Sequence, residues 1–170
     1  MRNDPGVLPR AALEIRPAHR HEYAAIEAFY STRNYTTPIA DADYVVAAFD
    51  GQTVVGAVRL CEEGGALVLR GMQVADAMQG QGVGSSMLGI LDTKIGKREC
   101  WCIPLGKSNI DLERFYSRIG FRRVQPSDAP EFLQDRLREY SKKGEFFIMK
   151  SDKPYNHSLD LTSLTLGKST

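Results

Sequence analysis

The stretch that most limits what this chain can become runs from Ala66 to Leu91, ALVLRGMQVADAMQGQGVGSSMLGIL. It opens as an apolar run from Leu67 to Val74, interrupted by Arg70, Gly71 and Gln73. A turn follows, Gln79-Gly80-Gln81-Gly82-Val83-Gly84, and then Val83, Met87, Leu88, Ile90 and Leu91 recur three and four places apart. That order predicts strand, glycine turn, helix. Glycines at a helix start let backbone N–H groups approach a ligand with no Cβ in the way, and the helix N-terminus adds partial positive charge. The product is a cradle for an anion, most often a phosphate. The plainer alternative is a tight strand-to-helix turn with no ligand.

Composition narrows the class. A length of 170 residues predicts one domain, a core over about 12–151 with terminal arms at 1–11 and 152–170. Lys plus Arg number 22 against 21 Asp plus Glu, so no bulk field recruits nucleic acid or an anionic membrane. The apolar runs are too short to span a bilayer, and the N-terminus lacks the apolar stretch of a signal peptide. Three cysteines, an odd number, argue against a disulfide framework and for buried thiols in a reducing cytoplasm. Cys100 and Cys102 would share one face of a strand, but no His or Cys nearby in sequence completes a metal set, and no metal is expected.

Ahead of the glycine turn, Ala12 to Arg16 reads as a short strand ended by Pro17, and His19 to Arg33 as a helix with Tyr23, Ile26, Phe29 and Tyr30 on one face. His19 and His21 are candidate catalytic groups that a helix start would leave in solvent. Tyr44 to Phe49 and Thr53 to Cys61 pair across Asp50-Gly51, and Glu63-Gly64-Gly65-Ala66 closes a second hairpin. In that register, residues whose numbers sum to 129 are opposite, which sets Arg59 against Arg70 on a face with Val55, Ala57, Cys61, Val68, Met72 and Val74. Like charges directly opposite destabilise a hairpin by a few tenths to about 1 kcal/mol. Compensation must come from acidic side chains of the protein or from an anion on a substrate. After the glycine-turn helix, Glu99 to Ile103 is a strand, Ser108 caps a helix with Asp111 at the capping-box position, and Gly120 stops it. Phe121 to Val124 is a strand, Asp128 to Lys143 a helix, and Glu145 to Lys150 the last strand.

The glycine turn lacks the third glycine of a dinucleotide fingerprint, where Ser85 stands, and the lysine of a Walker loop. What remains, Gln79-x-x-Gly82-x-Gly84 after a strand, resembles the acetyl-CoA pyrophosphate loop of the GNAT superfamily of N-acyltransferases. Further on, Asn109-x-x-Leu112-x-x-Phe115-Tyr116-x-x-x-Gly120-Phe121 is similar to that family's C-terminal motif, with Leu112 where alanine is usual. The resemblance covers roughly Tyr44 to Lys150. It implies an α/β fold: a mixed, mostly antiparallel sheet with splayed central strands and helices on both faces. It also implies acetyl transfer from acetyl-CoA, as cosubstrate, to a primary amine by direct attack.

The same resemblance assigns roles. The amides of Gly80, Gln81, Gly82, Val83, Gly84 and Ser85, with Gln79, would hold the pyrophosphate. Gln73, Val74 and Asn109 would meet the pantetheine, and the Met72 amide would face the developing oxyanion. Tyr116 would be the general acid that gives the leaving thiolate its proton, a job suited to a phenol of pKa near 10. The base stays open among Glu62, Glu63, Glu27 and a water chain, because the family's strand glutamate aligns with Val68. Arg136, Arg138 and Tyr140 are candidate acceptor contacts, and a homodimer is equally open for their helix. The acceptor defaults to a small amine, with a protein amine, a non-catalytic acyl-CoA sensor and a nucleotide-binding domain as competing readings.

Overall fold

Two turns reverse the chain between residues 44 and 74, and both rest on glycine. Gly51 adopts φ +62°, and Gly64 and Gly65 adopt +54° and +77°, the left-handed pair a two-residue hairpin needs. Strands β2 (Tyr44–Asp50), β3 (Thr53–Glu63) and β4 (Ala66–Val74) therefore pair antiparallel, and β1 (Leu13–Pro17) adds to the outer edge of β2. Three short strands complete the sheet, β5 (Cys100–Cys102), β6 (Phe121–Val124) and β7 (Ile148–Ser151), in the order β1-β2-β3-β4-β5-β7-β6. Only β4 and β5 run parallel. The structure, a computed structural model, describes residues 12–107 and 110–152. Ser108, Asn109 and the arms at 1–11 and 153–170 lie outside the described residues.

Helices cover both faces. Helix α1 (Tyr23–Ser31) buries Ile26 and Tyr30 against Val45, Ala47 and Ala57. On the same face, α4 (Glu131–Ser141) sets Leu133 against Val68, Trp101 and Ile148. Opposite them, α2 (Val83–Ile95) packs Met87, Leu88 and Leu91, and α3 (Leu112–Ser117) packs Tyr116, against Val58, Leu60, Leu67 and Leu69. The fold is the mixed, mostly antiparallel α/β sheet expected.

The expected register holds only partly. Pairs summing to 129 run from Glu63↔Ala66 to Arg59↔Arg70; beyond them Ala57 faces Gln73 and Gly56 faces Val74. Gly71 and Met72 of β4 thus stand opposite the single residue Val58, a bulge with Gly71 at φ +65°. A second irregularity separates β2 residues Ala48 and Phe49. Each extra residue flips the pleat, so Met72, Val74 and Val55 pack with the α2 side and not on the Arg59 face as expected. Other limits move by a few residues. The first helix begins as a 3-10 turn at Arg20–Glu22, and the third begins at Leu112, capped by Asp111, whose carboxylate accepts the Arg114 N–H at 3.0 Å.

At the first turn of the α1 region, Arg16 grips Glu22 with two nitrogens at 2.8 and 2.9 Å, and Glu22 also accepts the His19 N–H at 2.8 Å. The Arg16 guanidinium chiefly holds the carboxyl down to about 2. A lowered carboxylate contributes stability that is complete above its unfolded value near 4.5 and disappears as pH falls toward 2. Urea unfolding at pH 5 and at pH 2.5 should show a larger stability loss in the wild type than in Glu22→Gln. Equal losses would contradict this role.

Candidate active site

The sheet opens between β4 and β5. The two strands pair only at Leu67↔Cys100 and Val68↔Trp101, after which β5 ends at Cys102 while β4 continues to Val74. Pro104, lacking an N–H, cannot extend the ladder. Two cavities occupy the splay. One of about 820 Å³ lies between the glycine turn and α3; the other, about 560 Å³, lies under α4 and the 34–37 loop. Met72, Gln73, Leu105 and Leu112 line both, so the cavities meet at the β4 bulge. Leu112, the departure from the family motif, sits at that junction.

The larger cavity is walled by the cradle. Gly80 and Gly82 adopt φ +75° and +81°, and a Cβ at either would meet no atom within 4 Å. Among the described residues, the amides of residues 80 to 85 have no protein acceptor; the first bonded amide of α2 is that of Ser86, which donates to the Gly82 carbonyl at 3.0 Å. Six unmatched N–H groups at the start of a 13-residue helix fit a pyrophosphate. Arg33, Arg114 and Arg118 line the same cavity, and Arg118 donates to Ser85 Oγ at 3.1 Å. The four-residue spacing of Arg114 and Arg118 on one helix edge was the signal for them that sequence reading passed over. Gln79 also lines this cavity. Its side-chain amide donates to the Val74 carbonyl at 3.2 Å and to Asp76 at 3.3 Å, bracing the strand end. Asn109 lies outside the described residues.

At the junction, Gly71 turns β4 and its carbonyl accepts the Tyr30 hydroxyl at 2.8 Å. A Cβ on Gly71 would come within 2.8 Å of that hydroxyl, so the close approach itself requires glycine. Tyr116, in the last turn of α3, is 5% exposed and lines the smaller cavity. Its ring packs edge-on against Phe115 and Phe121, and its hydroxyl has no partner among the described residues. Burial, with the Cys102 thiol nearby, pushes the phenol well above 10, so it keeps its proton. Burial likewise pushes the Cys100 thiol up to about 12 and the Cys102 thiol well above its usual value, which removes both as nucleophiles near neutrality. His19 and His21 stack at 5.6 Å, exposed and outside both cavities. Among the described residues no three His, Cys, Asp or Glu side chains gather to hold a metal.

The two cross-strand arginines each meet a protein carboxylate, so their repulsion is answered inside the molecule and needs no substrate anion. Arg59 is buried on Asp43 at 3.1 Å, and Arg70 contacts Glu63 at 2.7 Å. The carboxylates considered as bases are also committed. Glu62 pairs with Arg98, Glu27 accepts the Ile39 N–H, and Glu63 lies between Arg70 and Arg136. From α4, Arg136 and Tyr140 reach the smaller cavity, whereas Arg138 pairs with Asp135 on the outer face. Tyr35 and Lys143, which no motif marked, line it as well.

Known proteins share this fold. No curated protein matches this sequence. The chain superposes on the ribosomal-protein-S18-alanine N-acetyltransferase of Escherichia coli with a TM-score of 0.59 at 14% identity, over 82% of this chain and 93% of that one. A GNAT acetyltransferase from Staphylococcus aureus Mu50 gives 0.56 at 16%, over 83% and 99%. N-acetylglutamate synthase from Neisseria gonorrhoeae, complexed with coenzyme A and N-acetyl-glutamate, gives 0.57 at 17%, over 83% of this chain but 35% of its own length. These likenesses carry the fold. No helix among the described residues is long and apolar enough to cross a membrane. Residues 40–123, which contain the splayed strand, the bulge and the cradle, match the family model of the acetyltransferase (GNAT) domain, and the chain belongs to that family.

Proposed function

We propose that the protein is an N-acetyltransferase that moves an acetyl group from acetyl-CoA to a primary amine by direct attack. The observation that carries this is the row of unmatched amides from Gly80 to Ser85 opening on a cavity that joins a second one at the β4 bulge. Acetyl-CoA supplies the thioester, and its departing thiolate needs a proton. The cradle and the arginines at 33, 114 and 118 would bind the phosphates. Gln73 and Val74 line the passage to the bulge, where the Met72 amide is the candidate oxyanion donor; such a donor is worth about 3 to 4 kcal/mol. Tyr116 holds the proton to be delivered, since its burial keeps it neutral. Proton removal from the amine falls to water, because no carboxylate among the described residues lines the smaller cavity. Three buried free thiols suit a reducing cytoplasm.

The test has two arms. Thermal shifts with CoA, ATP and NAD should favour CoA, and thiol release from acetyl-CoA should appear with some amines and not without them. Equal shifts for all three ligands would return the protein to a general nucleotide binder. Gly82→Ala should weaken CoA binding at least tenfold, because the new methyl enters open cradle space at a φ of +81°. Its stability cost is expected to be only about 1 to 2 kcal/mol. Unchanged CoA affinity in that variant would remove the cradle from the mechanism.

A further inference from the structure

The smaller cavity carries more positive charge than the protein needs for its own balance. Among the described residues three cations line it, Arg70, Arg136 and Lys143, and no carboxylate does. Glu63 behind them is shared: its Oε1 contacts Arg70 at 2.7 Å and its Oε2 contacts Arg136 at 2.7 Å. One carboxylate between two guanidiniums leaves a surplus of one, and Lys143 at the rim, with no carboxylate within ion-pair distance among the described residues, adds another. Arg136 commits its buried Nη1 to Glu63, and its other two nitrogens have no acceptor among the described residues. A guanidinium left with free donors and facing a cavity is suited to a two-oxygen anion. A plain ammonium entering the same space would meet three like charges.

We infer that the acceptor carries a carboxylate of its own beside the amine, and that Arg136 and Lys143 bind that carboxylate. This rests on the acyltransfer reading and names its substrate class. The arrangement also suits a cavity without a base. Like charges around a bound ammonium favour its neutral form, so the amine sheds its proton to water more readily there. The carboxylate brings the acceptor's net charge to zero and removes the barrier to entry. The aromatic walls, Tyr35, Tyr140 and Phe146, leave room for an apolar body between the two groups.

The experiment separates charge preference from turnover. The protein, with and without CoA, is titrated calorimetrically at pH 7 and low salt with 3-phenylpropionate and with phenethylamine, which share a body and differ in the charged end. Phenylpropionate should bind at least tenfold more tightly than phenethylamine, and its affinity should fall as salt rises. Arg136→Gln should weaken phenylpropionate at least tenfold. Lys143→Glu, at an exposed position that leaves folding alone, should weaken it severalfold and narrow the gap to phenethylamine. Phenethylamine binding as well as phenylpropionate, no phenylpropionate binding, or indifference of both variants would overturn the proposal. Loss of CoA binding or of thiol release would instead overturn the acyltransfer reading, with the titration still legible.

Discussion

Tyr116→Phe is expected to lower kcat for acetyl transfer by about 10² to 10⁴ while leaving CoA affinity and stability near wild type. The rate term follows from losing a positioned proton donor at the leaving thiolate. The stability term follows from what the hydroxyl does in the fold, which is little: it has no partner among the described residues, whereas the ring contacts with Phe115 and Phe121 survive in Phe. The pH profile gives a second readout. An acid must be protonated to act, so its contribution disappears as pH rises through its pKa, and burial places that point well above 10. The alkaline limb of the wild-type profile should therefore stay level to at least pH 10 as far as this group is concerned. Steady-state thiol release and CoA titration decide the matter. A variant that keeps more than a tenth of its turnover excludes Tyr116 as the acid, and a wild type that binds CoA without turnover with any amine is a sensor.

Arg59→Met should cost about 3 to 5 kcal/mol of folding stability, the range for removing one partner of a buried ion pair. Arg59 is 1% exposed, and both terminal nitrogens of its guanidinium are used, while its buried Nε has no acceptor among the described residues. Nη1 donates to the Pro38 carbonyl at 2.7 Å and to Asp43 at 3.1 Å; Nη2 donates to the Tyr35 hydroxyl and the Thr37 carbonyl, both at 2.9 Å. One side chain thus ties the 35–38 loop to the sheet, and that loop forms a wall of the smaller cavity. Met fills much of the volume but leaves the Asp43 carboxylate buried without its cation. Adding Asp43→Leu should recover part of the loss, because the orphaned charge is what dominates it. Urea unfolding of the three proteins measures both terms. A loss below about 1 kcal/mol in the single variant, or a double variant worse than the single, would contradict the account. The acceptor KM should rise in either variant while CoA affinity holds, since the loop touches only one cavity.

How much of this was written in the chain follows the range of the interactions. Strand, glycine turn and helix were legible from 66 to 91 because each depends on neighbours within a few residues: apolar alternation, a left-handed glycine, a 3.6-residue period. The two hairpins and the Arg59–Arg70 pairing were legible for the same reason, as tight turns fix register locally. Tyr116 stood out through the resemblance of its segment to a family motif. The bulge at Gly71 and Met72 was not legible. It needs a third party, the Tyr30 hydroxyl on the Gly71 carbonyl, supplied from 41 residues away by α1. Its effect, moving Met72 and Val74 to the other face, is a one-residue phase change that no pattern within β4 announces.

The acceptor side shows the limit most plainly. Arg136 was visible as a charge on a helix, and so was Arg138, but only packing decides that one enters the cavity and the other pairs with Asp135 outside. Glu63 had the look of a base until two guanidiniums from different elements closed on it. By itself the chain determined the strand order of its first half and the glycine turn that opens α2, since local sterics and hydrogen bonding write those directly; the candidate acid came from the resemblance to a family motif. The tertiary structure alone decided the joining of two cavities at the bulge and the surplus positive charge in the smaller one. Those are sums over residues far apart in sequence, and their sign is set by which side chains the fold brings within about 4 Å of each other.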